Sequence, residues 1–348
     1  MRSLERRRTR STRGHVRTED KARWPRWLGI GLAALTVLVA LALLVNQFVI
    51  PALSSQRRSG WNNRTWFEFD PWAVVADGVE AAEQIADRLR ENQITTVYIE
   101  AAAWLSNGML QEGEHAVAFR QRLREHYPEL QVLLWLRMSH DQIADEALRE
   151  RAIDVASKAV FDWQFDGVQL NAYAVTNRSA LYVQLVRALR GAIGADALLS
   201  LTVPPDRIPT DPDVPIGLSV APELTWDSDF KLQIGLLDVD EIVIMAYAAG
   251  LDDAQAYTAW VAYQLESYAG ALSPVLPGPL LAVAVPTYDA APGHDPEVES
   301  VRAAIEGVAQ GRERITEENP FDGVGLYIYS ATDSREWAIY RDVWLGLD

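Results

Sequence analysis

The sequence predicts a (β/α)8 TIM barrel preceded by a single N-terminal transmembrane helix. Three observations carry this prediction. Residues 27–50 are uncharged and mostly apolar. Beyond them, eight β-rich apolar runs recur about 30–43 residues apart, and helix-patterned stretches lie between several of them. Within the runs apolar and polar residues alternate, as they do when one face of a strand packs under helices and the other points into a lumen.

The elements follow in order. Residues 1–26 hold ten Lys/Arg and three acids, a formal +7, so the rest of a chain of net charge -16 carries -23. Such a tail cannot build a core and is expected to be disordered. Residues 27–50, WLGIGLAALTVLVALALLVNQFVI, would form a helix of about 36 Å, enough to cross a bilayer. A cleaved signal peptide is the rival reading, but its apolar core spans about 7–15 residues and ends at small residues. Here Val45-Asn46-Gln47-Phe48 offers no such site. The basic flank should stay in the cytoplasm, which places the C-terminal body outside as a single-pass protein whose partner is the lipid bilayer. Residues 51–60, PALSSQRRSG, read as a polar linker, and residues 61–348 as the barrel domain.

The eight runs are TWFEFDPW (65–72), ITTVYIEA (94–101), LQVLLWLRM (130–138), FDGVQLNAY (165–173), ALLSLTVPP (197–205), DEIVIMAYA (240–248), PLLAVAVPTYD (279–289) and DGVGLYIYS (322–330). Helical patterns occupy 79–93, 179–193 and 334–347, the last supplying the closing helix. No G-x-G-x-x-G follows the first run, which leaves an open dinucleotide-binding sheet without support. There is no cysteine, and the five histidines show no HxxxH or HExxH spacing. Neither a metal nor another cofactor is therefore expected. The -23 body would repel nucleic acid, so none is expected as a partner.

The apolar parity of the strands is Phe67/Phe69, Val97/Ile99, Leu134/Leu136, Val168/Leu170, Leu199/Leu201, Ile242/Ile244 and Leu326/Ile328. The opposite parity predicts a lumen and rim lined by Trp66, Glu68 and Asp70; Tyr98 and Glu100; Trp135 and Arg137; Gln169, Asn171 and Tyr173; Ser200 and Thr202; Met245 and Tyr247; Tyr288; and Tyr327 and Tyr329. The later member of each set would lie nearest the C-terminal rim, where barrels of this type place their sites. Aromatic rings beside hydrogen-bonding groups suit a sugar, whose C–H faces are apolar and whose hydroxyls are polar. A structural ion pair between Glu100 and Arg137 is the plainer alternative for those two residues.

The stretch Asp166-Gly167-Val168-Gln169-Leu170-Asn171-Ala172-Tyr173 resembles the DGxDxDxE pattern of family 18 glycoside hydrolases, the chitinase-like barrels. Met245-Ala246-Tyr247-Ala248 is similar to the Met-x-Tyr-Asp element of that family's sixth strand, and residues 321–329 to its eighth. The resemblance covers about residues 61–348, and Asp166, Gly167, Met245 and Tyr247 match directly. It implies substrate-assisted hydrolysis by the motif's glutamate, with the preceding aspartate steadying the N-acetyl group. Here Tyr173 stands in place of the glutamate and Asn171 in place of the aspartate. A phenol titrating near pH 10 is a poor proton donor, and an amide supplies no full charge. The Ser-x-Gly-Gly element of the third strand is absent as well, so family-type catalysis is not expected.

Three functions remain. The first is an oligo- or polysaccharide-binding module that uses Trp135, Arg137, Asp166, Gln169, Asn171, Tyr173, Met245, Tyr247, Tyr288, Tyr327 and Tyr329. The second is a carbohydrate enzyme whose catalytic carboxyls are Glu68, Asp70 and Glu100, since two carboxyls at suitable separation run glycoside hydrolysis. The third is a tethered envelope scaffold with no small ligand. Two N-x-S/T patterns, Asn63-Arg64-Thr65 and Asn177-Arg178-Ser179, add glycosylation as an option, though Ser179 would serve equally as a helix cap.

Overall fold

The computed structural model describes residues 62–72, 77–206, 222–315 and 321–347, all within a compact unit spanning Gly60–Asp348. The expected tail, transmembrane helix and linker lie outside the described residues. Among the described residues no helix is long and apolar enough to cross a membrane.

Eight parallel strands close into a barrel: β1 (Asn63–Phe67), β2 (Ile94–Ile99), β5 (Gln131–Ser139), β6 (Gly167–Tyr173), β7 (Leu198–Val203), β8 (Glu241–Met245), β9 (Leu280–Pro286) and β10 (Phe321–Tyr327). An antiparallel hairpin, β3 (Ala102–Trp104) and β4 (Leu110–Glu112), is inserted after β2. The helices between and after the barrel strands are α1 (Asp77–Glu91), α2 (Ala116–His126), α3 (His140–Ala144), α4 (Glu146–Phe161), α5 (Ala180–Ile193), α6 (Ser228–Gly235), α7 (Ala254–Leu272), α8 (Val301–Arg314) and α9 (Ser334–Ile339). This is the predicted (β/α)8 architecture.

Local chemistry explains the element ends. In α1, Ala82, Ile85, Ala86 and Leu89 fall at helical spacing and all are buried. Side-chain oxygens cap the starts of α4 (Asp145), α5 (Ser179), α6 (Asp227), α7 (Asp253) and α8 (Ser300), each accepting a first-turn N–H. Ser179 is thus a cap. Asn177 is tied to Asp227, with Nδ2 donating at 2.8 Å. Asn63 is fully buried in β1 and accepts from Trp344 Nε1 at 2.8 Å, so neither sequon presents a free asparagine.

The apolar parity packs under the helices as predicted. Phe67, Val97, Ile99, Leu134, Leu136, Val168, Leu170, Leu199, Leu201, Ile242, Ile244 and Leu326 join one core with the helices. A second cluster fills the lumen: Trp66, Tyr98, Leu133, Trp135, Val243, Ala282, Ala284 and Ile328. Gly325 makes room for it, because a Cβ there would lie 2.5 Å from the Trp66 ring.

Both outermost strands end earlier than predicted. The first leaves the sheet after Phe67, not at residue 72. Pro71 has no N–H to donate, and Asp70 before it is extended (φ -109°, ψ 122°). Asp70 is therefore an exposed residue beyond the strand, without lumenal parity. The eighth strand stops at Tyr327, and the period-2 alternation stops with it. Ile328, not Tyr329, joins the lumen.

Candidate functional site at the barrel mouth

The lumen is built in layers. At its base the fully buried Arg64 guanidinium donates to Glu241 (Nε to Oε2, 2.7 Å) and to Asp322 (Nη2 to Oδ2, 2.7 Å). Glu241 also accepts from Ser200 Oγ at 2.7 Å and from the Tyr98 hydroxyl. Burial alone would raise the Glu241 pKa, but the Arg64 charge and these donors hold the carboxyl below its usual range. This cluster escaped the sequence reading. Its signal was parity, since Arg64 alternates with Trp66 and Glu68, and Glu241 with Met245 and Tyr247.

The middle layer is closed. Trp66 stacks on Tyr98 (centroids 4.9 Å apart), and Tyr327 meets the edges of Trp66 and Trp135. Trp66 Nε1 donates to Gln169 Oε1 at 2.6 Å, and Gln169 Nε2 donates to Ser200 Oγ at 3.1 Å. Gln169 and Trp135 are both 0% exposed. Each was expected to contact a ligand, yet they form the floor beneath the mouth. Their lumenal parity is correct, but their depth excludes them.

Two more of the expected contacts are corrected. Asp166 sits at the N-terminal end of β6, opposite the rim, where its carboxylate accepts from Val132 N (2.8 Å) and from Arg124 Nη1 (2.7 Å). Tyr329 stacks on Phe67 (4.5 Å) and packs against Trp337 in the helix-side core.

The remaining expected residues converge at the C-terminal mouth. Tyr247 stacks on Tyr327 at 4.9 Å, and the ring of Tyr288 meets both edge-on. Met245 ends β8 beside them, half-buried. Arg137 pairs in register with Asn171, lies over the Trp135 ring at 5.2 Å and reaches Glu100 at 3.6 Å. Glu100 is 6% exposed and accepts from Phe69 N at 3.3 Å. Burial pushes its carboxyl up; Arg137 and the Phe69 N–H oppose the shift, and Glu68 adds to it. Glu68, half-buried, accepts from Ser330 Oγ. Tyr173 ends β6 with 46% of its surface exposed. Asn171 is 6% exposed, and its amide makes no hydrogen bond among the described residues.

A further pair fixes the rim. His294 Nδ1 lies 2.7 Å from Glu299 Oε2, and Nε2 lies 3.1 Å from the Tyr288 carbonyl. Glu299 accepts from Ala248 N and Ala249 N at 2.8 and 2.7 Å. These bonds tie the loop after β8 to the loop after β9 and set the pose of Tyr288, whose ring lies 4.1 Å from that of His294. His294 is thus buried behind the rim rather than presented on it.

Chemically, the fourth barrel strand offers only an amide and a phenol at the mouth. The carboxyls there, Glu68 and Glu100, come from the ends of β1 and β2.

No protein-family model matches the chain, and no curated protein is similar to it in sequence. Solved structures are similar in fold. A class V chitinase from Pseudomonas fluorescens Pf-5 is 15% identical, with 81% of this chain and 99% of that one covered at a TM-score of 0.52. The spore cortex-lytic enzyme SleL of Bacillus cereus is 11% identical over 81% of this chain and 74% of that one, at 0.55. A family GH18 chitinase from Cycas revoluta, solved with allosamidin, is 14% identical over 81% and 99%, at 0.53. The ordered strands, the degenerate motif on β6 and these neighbours agree: the described body of this chain is a barrel of the family 18, chitinase-like fold.

Proposed function

We propose that this chain is a membrane-anchored, extracytoplasmic, chitinase-like barrel that binds an oligo- or polysaccharide at its C-terminal mouth without family-18-type hydrolysis. The anchor and orientation rest on the sequence of residues 1–50 alone. The observation that carries the binding is Asn171. Its side chain makes no hydrogen bond among the described residues and is not one of the enclosed polar groups, so the amide stays open to a ligand at the mouth. It opens onto a mouth flanked by Arg137, Tyr173 and the Tyr247–Tyr288–Tyr327 rings, which supply donors and an aromatic platform. The absence of a carboxyl at Tyr173 argues against protonation of a leaving group from this strand.

A second reading has one observation in its favour. Glu100, raised by burial and by Glu68 beside it, has the character of a general acid with a second carboxyl at hand. Arg137 works against it. The test is a broad glycan array probed with the full chain, beside Asn171→Ala and Tyr173→Ala variants. Binding lost in the variants supports the proposal. Release of reducing ends that stops in Glu100→Gln would replace it with the second reading. A folded chain that binds no glycan and cleaves none would remove both and leave the scaffold.

A further inference from the structure

Arg137 brings a charge to the mouth that the protein answers only in part. Its side chain is 45% exposed, and its carboxyl partner, Glu100, stands at 3.6 Å, farther than a formed hydrogen bond. Among the described residues its N–H groups meet no closer acceptor. Arg64, at the base of the same lumen, shows a guanidinium fully answered: it bridges two carboxylates, Glu241 and Asp322. Arg137 has half of that arrangement. Burial also pushes the Glu100 carboxyl up, which weakens its hold on the cation.

The surroundings present this guanidinium to a ligand. Its Cζ lies 5.2 Å from the centroid of the Trp135 ring, a flat support in the floor of the mouth. Tyr327 meets the same Trp135 ring edge-on at 5.9 Å and stacks on Tyr247. A sugar lying on the Tyr247–Tyr327 platform can thus carry a ring substituent to Arg137. Asn171, paired in register with Arg137 on the next strand, adds an amide whose side chain makes no hydrogen bond among the described residues. A planar carboxylate suits this set. The guanidinium fork can donate two parallel bonds to it, and the amide can donate another. One cation beside Glu100 answers a single negative charge, not the roughly double charge of a phosphate monoester. The net charge of -16 opposes any anion at long range, but at about 0.1 M salt it is screened within about 10 Å, and this contact is direct.

We infer that the mouth selects glycans bearing a carboxylate, held by Arg137 and Asn171, over neutral, N-acetylated or amine-bearing ones. This inference rests on the glycan-binding reading and narrows it to a substrate class. A uronic acid and a sugar with a carboxyl-bearing ether present the same group.

The full chain is tested at mildly acidic pH, where a ligand carboxyl is still ionised, on an array of matched oligosaccharides. Each carboxylate member stands beside its carboxyl-reduced counterpart. Uronates and ether carboxylates form separate arms, which tell the two sources apart, and sulfated, phosphorylated, N-acetylated and free-amine members complete the set. Members of at least one carboxylate arm are expected to bind at least about tenfold more tightly than their reduced counterparts, and less so at high salt. Arg137→Gln should abolish that preference. Asn171→Asp, which sets a like charge beside the ligand carboxylate, should reverse it and serves if the first variant does not fold. Equal or tighter binding of reduced, sulfated, phosphorylated, N-acetylated or free-amine members would overturn the inference while glycan binding stands. A preference that survives in a folded Arg137→Gln chain would overturn it as well. Binding to no member by a folded chain would remove the glycan reading, and the inference with it.

Discussion

Arg137, near the end of β5, and Glu100, just past β2, face each other across 3.6 Å at the mouth of the barrel. The two belong to neighbouring strands, and the pair joins a half-exposed guanidinium to a carboxyl that is almost fully buried. Burial dominates at Glu100 and pushes its carboxyl up; Arg137 is the largest opposing influence.

Removing the cation should therefore raise the carboxyl further. Arg137→Met is expected to lift the Glu100 pKa further, read by carbon NMR of the titrating carboxyl. The sign carries into stability. A carboxyl whose folded pKa lies above its unfolded value favours the fold while protonated, and that contribution is lost as pH rises through the folded pKa. The variant should lose more stability than the parent between mildly acidic and mildly alkaline pH. An unchanged titration would mean that the pair is not formed in solution.

Arg64 answers two buried carboxylates at once, Glu241 and Asp322. Arg64→Met would leave both without their cation in the base of the lumen. A loss of about 3–5 kcal/mol in denaturant unfolding is expected, with stability partly regained on acidification as the carboxyls protonate. A loss below about 1 kcal/mol would show that solvent reaches the cluster.

Gly167, the glycine of the degenerate motif, has a backbone role. A Cβ at this position would lie 2.1 Å from the Leu198 carbonyl oxygen, an atom held in the adjoining strand. Gly167→Ala should cost about 3 kcal/mol or more, or prevent folding, while leaving no direct mark on the mouth. Circular dichroism and thermal unfolding check it.

Burial beside Asp333 and Asp289 pushes the Glu336 carboxyl up to about 7. Its protonated form favours the fold, so this contribution is present below the unfolded carboxylate range and is lost as pH rises to about 7. Glu336→Gln keeps an acceptor for the Asp333 N–H that it now receives at 2.9 Å. The variant should match the parent near pH 5 and exceed it by about 1 kcal/mol near pH 8, a figure reduced for solvent screening. Parallel stability curves across that range would refute the assignment.

Much of the barrel was legible because its strands are local patterns. Val168/Leu170 and Ile242/Ile244 announce a helix-facing side by alternation alone, and the pairs recur at βα spacing. Gln169 and Trp135 show the limit of that reasoning. Alternation places a side chain on the lumenal face, but depth along the strand decides whether a ligand can reach it. Gln169 is consumed by Trp66, 103 residues earlier in the chain. The base cluster was hidden for the same reason, since Arg64 meets Glu241 and Asp322 across 177 and 258 residues. Tyr329 was misplaced because nothing local marks Tyr327 as the last residue of β10.

By itself the sequence determined the class of fold, the order of its strands, the face each strand turns inward and the loss of the acid that a chitinase-like fourth strand would carry at Tyr173. These follow from periodicities of two and 3.6 residues and from side-chain identity, which act within a few residues of the chain. Only the tertiary structure decided which lumenal groups satisfy one another and which still face outward. Closing the barrel brings eight distant strands within hydrogen-bond range, and the pairing that follows buries Arg64, Trp66, Trp135 and Gln169 while leaving Asn171, at the mouth, without a partner among the described residues.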